Sequence, residues 1–273
     1  PQPSPGEVVE TAAEEPRPET RAAEAPSPAR TPPAPAEPSA GGSAPGRIPV
    51  ELLPSVAEAL TRLEAGAFVE QFWVRDARLW SANPEEHALI RNRLGWLTSP
   101  ALMREKVGEL REFAELRRLY SHVVFLGVDA GSLAAEVFAQ AFDVRKGFSE
   151  LLVLSSADPA AVKQVMKRVN LARTLFIVAS KSGTTAETLA LFRFFWEEIG
   201  RSSPQPGQHF VAVTDGGTPL ERLAKEERFR RVFLNPPTLA GPHAAISYFG
   251  LVPAALMGVD LETFLARTEA MVE

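Results

Sequence analysis

The chain has 273 residues, 29 Lys and Arg against 34 Asp and Glu, and no cysteine. The lack of cysteine excludes a disulfide scaffold, a thiolate metal site and a cysteine nucleophile. Four histidines without ligand spacing (His87, His122, His209, His243) argue against a metal centre, and no run of 18 apolar residues is present to span a membrane.

Residues 1–47 contain no Leu, Ile, Phe, Tyr or Trp, and 12 of the 24 prolines fall in the first 48 residues. Such a stretch cannot bury enough apolar surface to offset its chain entropy, so a disordered Pro/Ala/Glu-rich linker or tail is expected. It reads as a passive tether or as a ligand for a Pro-binding module. The tract holds seven acids and four bases, leaving 27 and 25 for the rest. A nearly neutral remainder argues against a nucleic-acid partner driven by charge. The first residue is Pro1 rather than Met, which reads as a fragment or a processed product.

Residues 48–120 form a helical prelude expected to pack on the domain that follows. Val56, Leu60 and Leu63 share one helical face, and Leu110, Phe113, Leu116 and Leu119 form a second stripe. Asn83–Pro84 and Ser99–Pro100 each mark a helix start, because Pro suits the first helical turn. Trp73, Trp80 and Trp96 read as packing anchors.

After Tyr120 the pattern alternates. Apolar runs at Val123–Leu126, Leu151–Leu154, Leu175–Ala179, Phe210–Val213 and Val232–Leu234 predict strands. Helices are predicted between them at Leu133–Phe142, Ala160–Val169, Ala186–Ile199 and Pro219–Glu226, and afterwards at Ala244–Met257 and Leu261–Glu273. This βαβ rhythm, with strands apolar on both faces, predicts an α/β fold with a doubly wound, parallel, five-stranded sheet. Ligands of such sheets bind beyond the carboxyl ends of the strands.

The strongest loop there is Ser180-Lys181-Ser182-Gly183-Thr184-Thr185-Ala186-Glu187-Thr188, which opens a helix. Hydroxyls, one cation and a helix N-terminus suit a phosphate monoester, and Gly183 permits close backbone approach. Thr184 with Glu187 also fits a capping box, which explains those two residues but not the Ser-Lys-Ser before them. The Gly-x4-Gly-Lys order of a P-loop is absent.

The order Ser-Lys-Ser-Gly-Thr-Thr-x-Glu-Thr after an apolar strand resembles the sugar-isomerase (SIS) domain of the phosphoglucose isomerase family. Leu94–Leu97, Ala157–Pro159, Phe210–Pro219, Arg231–Pro237 and Ser247–Asp260 are similar to that family too, in particular to the isomerase half of bifunctional transaldolase/phosphoglucose isomerase proteins. The resemblance covers residues 50–273 and implies a flavodoxin-like SIS domain over 121–258, with 259–273 starting a further helical region of a truncated chain. It implies interconversion of glucose 6-phosphate and fructose 6-phosphate through an enediolate, without a cofactor or metal, in the cytoplasm. By position, Ser180, Lys181, Ser182, Thr184 and Thr185 would hold the substrate phosphate. A homodimer is implied, and a transaldolase part outside this chain would join through residues 1–47.

The sequence departs from the family in two loops. The sugar-side turn after the first strand reads Gly127-Val128-Asp129-Ala130-Gly131-Ser132, with Asp129 in place of a glycine and Gly131 in place of a serine. A carboxylate about 4 Å from a phosphate is repelled by about 4 kcal/mol at an effective dielectric near 20. Asp129 either faces the phosphate at that cost, or points away or caps the helix near Ser132. After the fifth strand, Pro242 stands where the family has an enediolate-stabilising Arg. His243 beside it is either a substitute donor or a helix-start residue without a catalytic part. The family's acid/base residues have no counterparts before Glu273. Three readings follow: the N-terminal portion of an isomerase, incomplete by itself; a non-catalytic sugar-phosphate-binding SIS module; or a relative that keeps only the fold.

Overall fold

The computed structural model describes residues 52–128, 130–239 and 243–272. The expected disorder of residues 1–47 lies outside them, as do Asp129 and Pro242. The chain divides into residues 1–55 and a larger unit, Val56–Glu273.

The prelude comprises α1 (Leu53–Ala65), α2 (Phe68–Trp73), α3 (Pro84–Arg91), α4 (Ser99–Arg104) and α5 (Val107–Ala114). Asn83 caps α3 by accepting from Glu85 N–H, with Pro84 in the first turn, as the Asn-Pro pair predicts. The expected buried stripe of α1 is not formed: neither α1 nor α2 has a buried residue, and Leu60 and Leu63 are exposed. Trp73 and Trp80 are likewise exposed, and the packing they anchor lies outside the core. They join an aromatic cluster around Phe72, which also touches Trp96 with ring centroids 6.0 Å apart. Continuous packing starts at Leu94, and Met103, Val107, Leu110 and Phe113 enter the core.

The α/β part runs β1 (His122–Leu126), α6 (Ala130–Ala141), β2 (Glu150–Leu154), α7 (Pro159–Arg168), β3 (Thr174–Ala179), α8 (Ala186–Gly200), β4 (Phe210–Asp215), α9 (Pro219–Glu226), β5 (Arg231–Asn235), α10 (Tyr248–Met257) and α11 (Leu261–Ala270). The five strands are parallel, in the order β2-β1-β3-β4-β5. The order reverses between β1 and β3, which makes their carboxyl ends the switch point of a doubly wound sheet.

Both faces of the central strands β1, β3 and β4 are covered, so they are apolar along most of their length, while the edge strand β5 exposes Arg231 and Leu234. Val123, Phe125, Leu175, Ile177, Val211, Val213 and Phe233 pack on the side of α5 and α10. Val124, Leu126, Phe176, Val178, Phe210 and Ala212 pack on the side of α7, α8 and α9. Phe176 is fully buried against Phe195 and Phe210, at ring centroid distances of 4.6 and 5.2 Å. Burying one such ring contributes about 1.5–3 kcal/mol.

Helix starts follow local chemistry. Asp158, Thr218, Ser247 and Asp260 each accept a backbone N–H as caps of α7, α9, α10 and α11. The Ser247 cap places the start of α10 at Tyr248 instead of Ala244. Every residue of α10 is buried, as its unbroken apolar composition requires.

Candidate functional site

Two loops flank the switch point. After β1, Gly127 is buried, and its N–H donates to Leu154 O (3.4 Å). A Cβ at Gly127 would lie 2.8 Å from the Phe125 ring and 3.2 Å from Ala179 O. Only glycine lets this turn lie so close to the end of β3. Gly131 falls in the first turn of α6, and Ser132 follows it, buried. Asp129 between these positions is outside the described residues.

After β3 the hydroxyl-rich loop folds on itself. Ser180 is fully buried, and its Oγ accepts from Gly183 N–H (3.1 Å) and shares a hydrogen bond with Thr185 Oγ1 (2.9 Å). Ser182 Oγ accepts from Thr184 N–H (3.2 Å) and shares a bond with Thr184 Oγ1 (2.8 Å). Gly183 has φ +68°, and a Cβ there would meet Leu220 N and Thr218 Cβ, each at 2.8 Å. The loop is therefore pressed against the start of α9 in a conformation that favours glycine.

The capping box expected of Thr184 and Glu187 is not formed. The N-cap of α8 is Thr185, which makes no side-chain cap bond, and Glu187 is exposed. The loop itself supplies a competing partner: the Thr185 hydroxyl turns toward Ser180, five residues earlier, instead of its own helix. The 15-residue α8 thus begins with first-turn N–H groups that no N-cap side chain satisfies. Ser182 and Thr184 are exposed and Thr185 is half-buried, while Ser180 is an internal staple of the loop.

Lys181 points elsewhere. Its Nζ donates to Asp215 Oδ2 at the end of β4 and to Pro237 O (3.2 Å) after β5. Burial pushes the Asp215 carboxyl above the ordinary aspartate range, although the Lys181 ammonium pulls it down. Among the described residues, four buried side-chain polar atoms have no hydrogen-bond partner: Arg117 Nε, Thr188 Oγ1, Asp215 Oδ1 and Asn235 Nδ2. Three of these belong to the ends of β4 and β5 and the first turn of α8. Unfilled hydrogen-bonding capacity is rare in native proteins, and here it gathers at the carboxyl edge of the sheet.

His243 is exposed, with its ring against Trp96 at a centroid distance of 5.5 Å. The prelude reaches this side through Gly95, whose N–H donates to Thr238 O (3.1 Å). The structure thus gathers Ser180, Ser182, Thr184 and Thr185 into one loop with Gly127 beside it, directs Lys181 to Asp215, and sets His243 on the prelude. Sequence reasoning missed Asp215 and Asn235; the signal was a polar residue ending each of two apolar strands. A cleft of about 260 Å³ lined by Arg111, Arg145, Phe148, Asp260 and Glu262 lies by the amino end of β2, away from these loops. No group of three or more His, Asp or Glu able to hold a metal ion occurs among the described residues, and none of their helices is long and apolar enough to cross a membrane.

Comparison with known proteins identifies the family. The family model described as phosphoglucose isomerase matches residues 108–272. The glucose-6-phosphate isomerase of Acaryochloris marina is 31% identical over 226 residues, covering 77% of this chain and 41% of that protein. That of Synechococcus elongatus is 30% identical over 227 residues, covering 78% and 42%. The chain therefore spans 41–42% of the length of these curated relatives. Among solved structures, a hypothetical protein from Thermus thermophilus superposes with a TM-score of 0.67 at 27% identity, over 83% of this chain and 52% of that one. A glucose-6-phosphate isomerase from Chlamydia trachomatis gives 0.54 at 26% identity, over 74% and 37%. With this strand order, this strand-end loop and these relatives, the chain belongs to the phosphoglucose isomerase family.

Proposed function

We propose that the chain binds the phosphate of a hexose 6-phosphate at the loop after β3, as the N-terminal portion of a glucose-6-phosphate isomerase. The observation that carries this reading is the Ser180–Thr185 loop. Its hydroxyls and the uncapped N-terminus of α8 converge at the switch point of the sheet. Ser182, Thr184, Thr185 and the first-turn N–H groups supply donors, and the helix dipole favours the anion. Gly127 and the turn running to Ser132 would face the sugar. The prelude over 48–120, the SIS domain over 121–258 and the further helical start at 259–273 are the domain division of this proposal. Homodimerisation and linkage to a transaldolase part rest on the resemblance alone.

Isomerisation needs a positioned general base and a stabiliser for the enediolate. The resemblance places the family's base beyond residue 273, and Pro242 cannot supply the family's Arg cation. Under this proposal the chain by itself binds fructose 6-phosphate without turning it over, as the non-catalytic module of the second reading also would. The two readings part when the C-terminal half of a relative is added: the first expects turnover, the second does not. The binding claim is tested by titrating fructose 6-phosphate into the wild type, Ser182→Ala and Thr185→Val. Each hydroxyl removed is expected to weaken binding about 10- to 150-fold, the range of a hydrogen bond to a charged group. Unchanged affinity in both variants would overturn the site.

A further inference from the structure

We propose that Lys181 is a positioning residue that fixes the carboxyl ends of β3, β4 and β5 relative to one another, and that the phosphate is held by neutral donors alone. The inference rests on the phosphate site proposed above, and it concerns how that site is built.

The geometry follows from strand register. Leu175, Ile177 and Ala179 of β3 face the α10 side of the sheet, and Phe176 and Val178 face the α8 side. The strand ladder runs one residue past β3, because Ser180 N–H donates to Val213 O (3.1 Å). Ser180 thus extends the α8-side row, where it meets Thr185. Lys181 extends the other row. On β4 that row is Val211, Val213 and Asp215, and on β5 it is Phe233 and Asn235, with Asp215 and Asn235 in register. The backbone of Lys181 is held as well: its carbonyl accepts from Asp215 N–H (3.3 Å) and from Thr214 Oγ1 (3.4 Å).

The ammonium is committed. Asp215 has a side chain only 14% exposed, with one oxygen on Lys181 and the other buried without a partner. Moving Lys181 toward a phosphate would strand that carboxylate and release Pro237 O as well. Burial raises the Asp215 carboxyl in spite of Lys181, so a gain in stability is not the evident role of the pair. What it does supply is geometry. One side chain just past β3 links the end of β4 to the segment after β5, and that segment continues through Thr238 to the prelude.

The two roles for Lys181 predict opposite signs for a change at Asp215. Fructose 6-phosphate is titrated calorimetrically into the 273-residue chain and into Lys181→Met, Asp215→Leu, the double variant and Lys181→Arg. A positioning role predicts that Lys181→Met and Asp215→Leu each weaken binding about tenfold, that the double variant is no worse than either, and that Lys181→Arg stays near wild type. It also predicts that raising salt from about 0.05 to about 0.5 M weakens wild type and Lys181→Met in equal proportion. Asp215→Asn, which keeps the shape, repeats the Asp215 test if the leucine variant does not fold. If an Asp215 variant tightens binding or leaves it unchanged while Lys181→Met weakens it, Lys181 contacts the phosphate and the proposal is overturned. Unchanged binding in Lys181→Met overturns it too. No binding by wild type would instead refute the phosphate site itself, and this inference with it.

Discussion

Replacing Gly183 with alanine tests the link between backbone conformation and the loop. The residue has φ +68°, where a non-glycine residue pays about 1–2 kcal/mol. The added Cβ would sit 2.8 Å from Leu220 N and Thr218 Cβ and 3.0 Å from Leu220 Cβ. Two of these neighbours belong to the fixed start of α9, so they cannot simply rotate away. Overpacking of this kind costs about 1–3 kcal/mol. The sum, about 2–5 kcal/mol, is a large part of a typical total stability of about 5–15 kcal/mol. The assay is urea unfolding followed by tryptophan fluorescence, comparing midpoints at a common slope. The loop would also shift its hydroxyls, so affinity for fructose 6-phosphate should fall with stability. A Gly183→Ala variant within about 0.5 kcal/mol of wild type and with unchanged affinity would refute the reasoning.

Phe176→Ala removes a fully buried ring between Phe195 and Phe210 and should cost about 3–5 kcal/mol in thermal unfolding. A loss under about 1 kcal/mol would mean that this side of the sheet is packed otherwise. Asp76 is held down to about 2 by the Arg78 side chain and by the Arg78 backbone N–H. Its folded value lies below the unfolded one, so its contribution to stability is present above the usual aspartate range and is lost as pH falls through about 2. A carboxyl NMR titration should give a midpoint near 2, and one near 3.8 would contradict the contact.

Much of the architecture is legible in linear sequence because the physics that sets it is local. Five apolar runs are strands, the central ones buried on both faces and the edge strand β5 with Leu234 exposed, and the alternating segments are the crossover helices. The bounds Pro219–Glu226 were readable because Pro219 opens the helix directly after its cap Thr218. Where several partners compete for one group, the sequence does not choose among them. Thr184 and Glu187 have the spacing of a capping box, yet Thr185 is the cap and its hydroxyl goes to Ser180. Lys181 reads as a phosphate cation, and nothing near it in the chain signals that β4 places Asp215, 34 residues away, against it. The spacing of Leu60 and Leu63 specifies an amphipathic helix but does not say what covers it, and in α1 both are exposed. Trp73 and Trp80 are large and apolar, but they lie on a part of the prelude that no core encloses.

The central claim is that the loop between β3 and α8 recognises phosphate. Calorimetric titration of the wild-type chain with fructose 6-phosphate, beside fructose at equal concentration, measures it most directly. Saturable binding of the phosphate ester and none of fructose is the predicted result. Equal binding of both sugars, or no binding of the ester at millimolar concentration, would contradict it and leave Ser180–Thr185 as a structural turn.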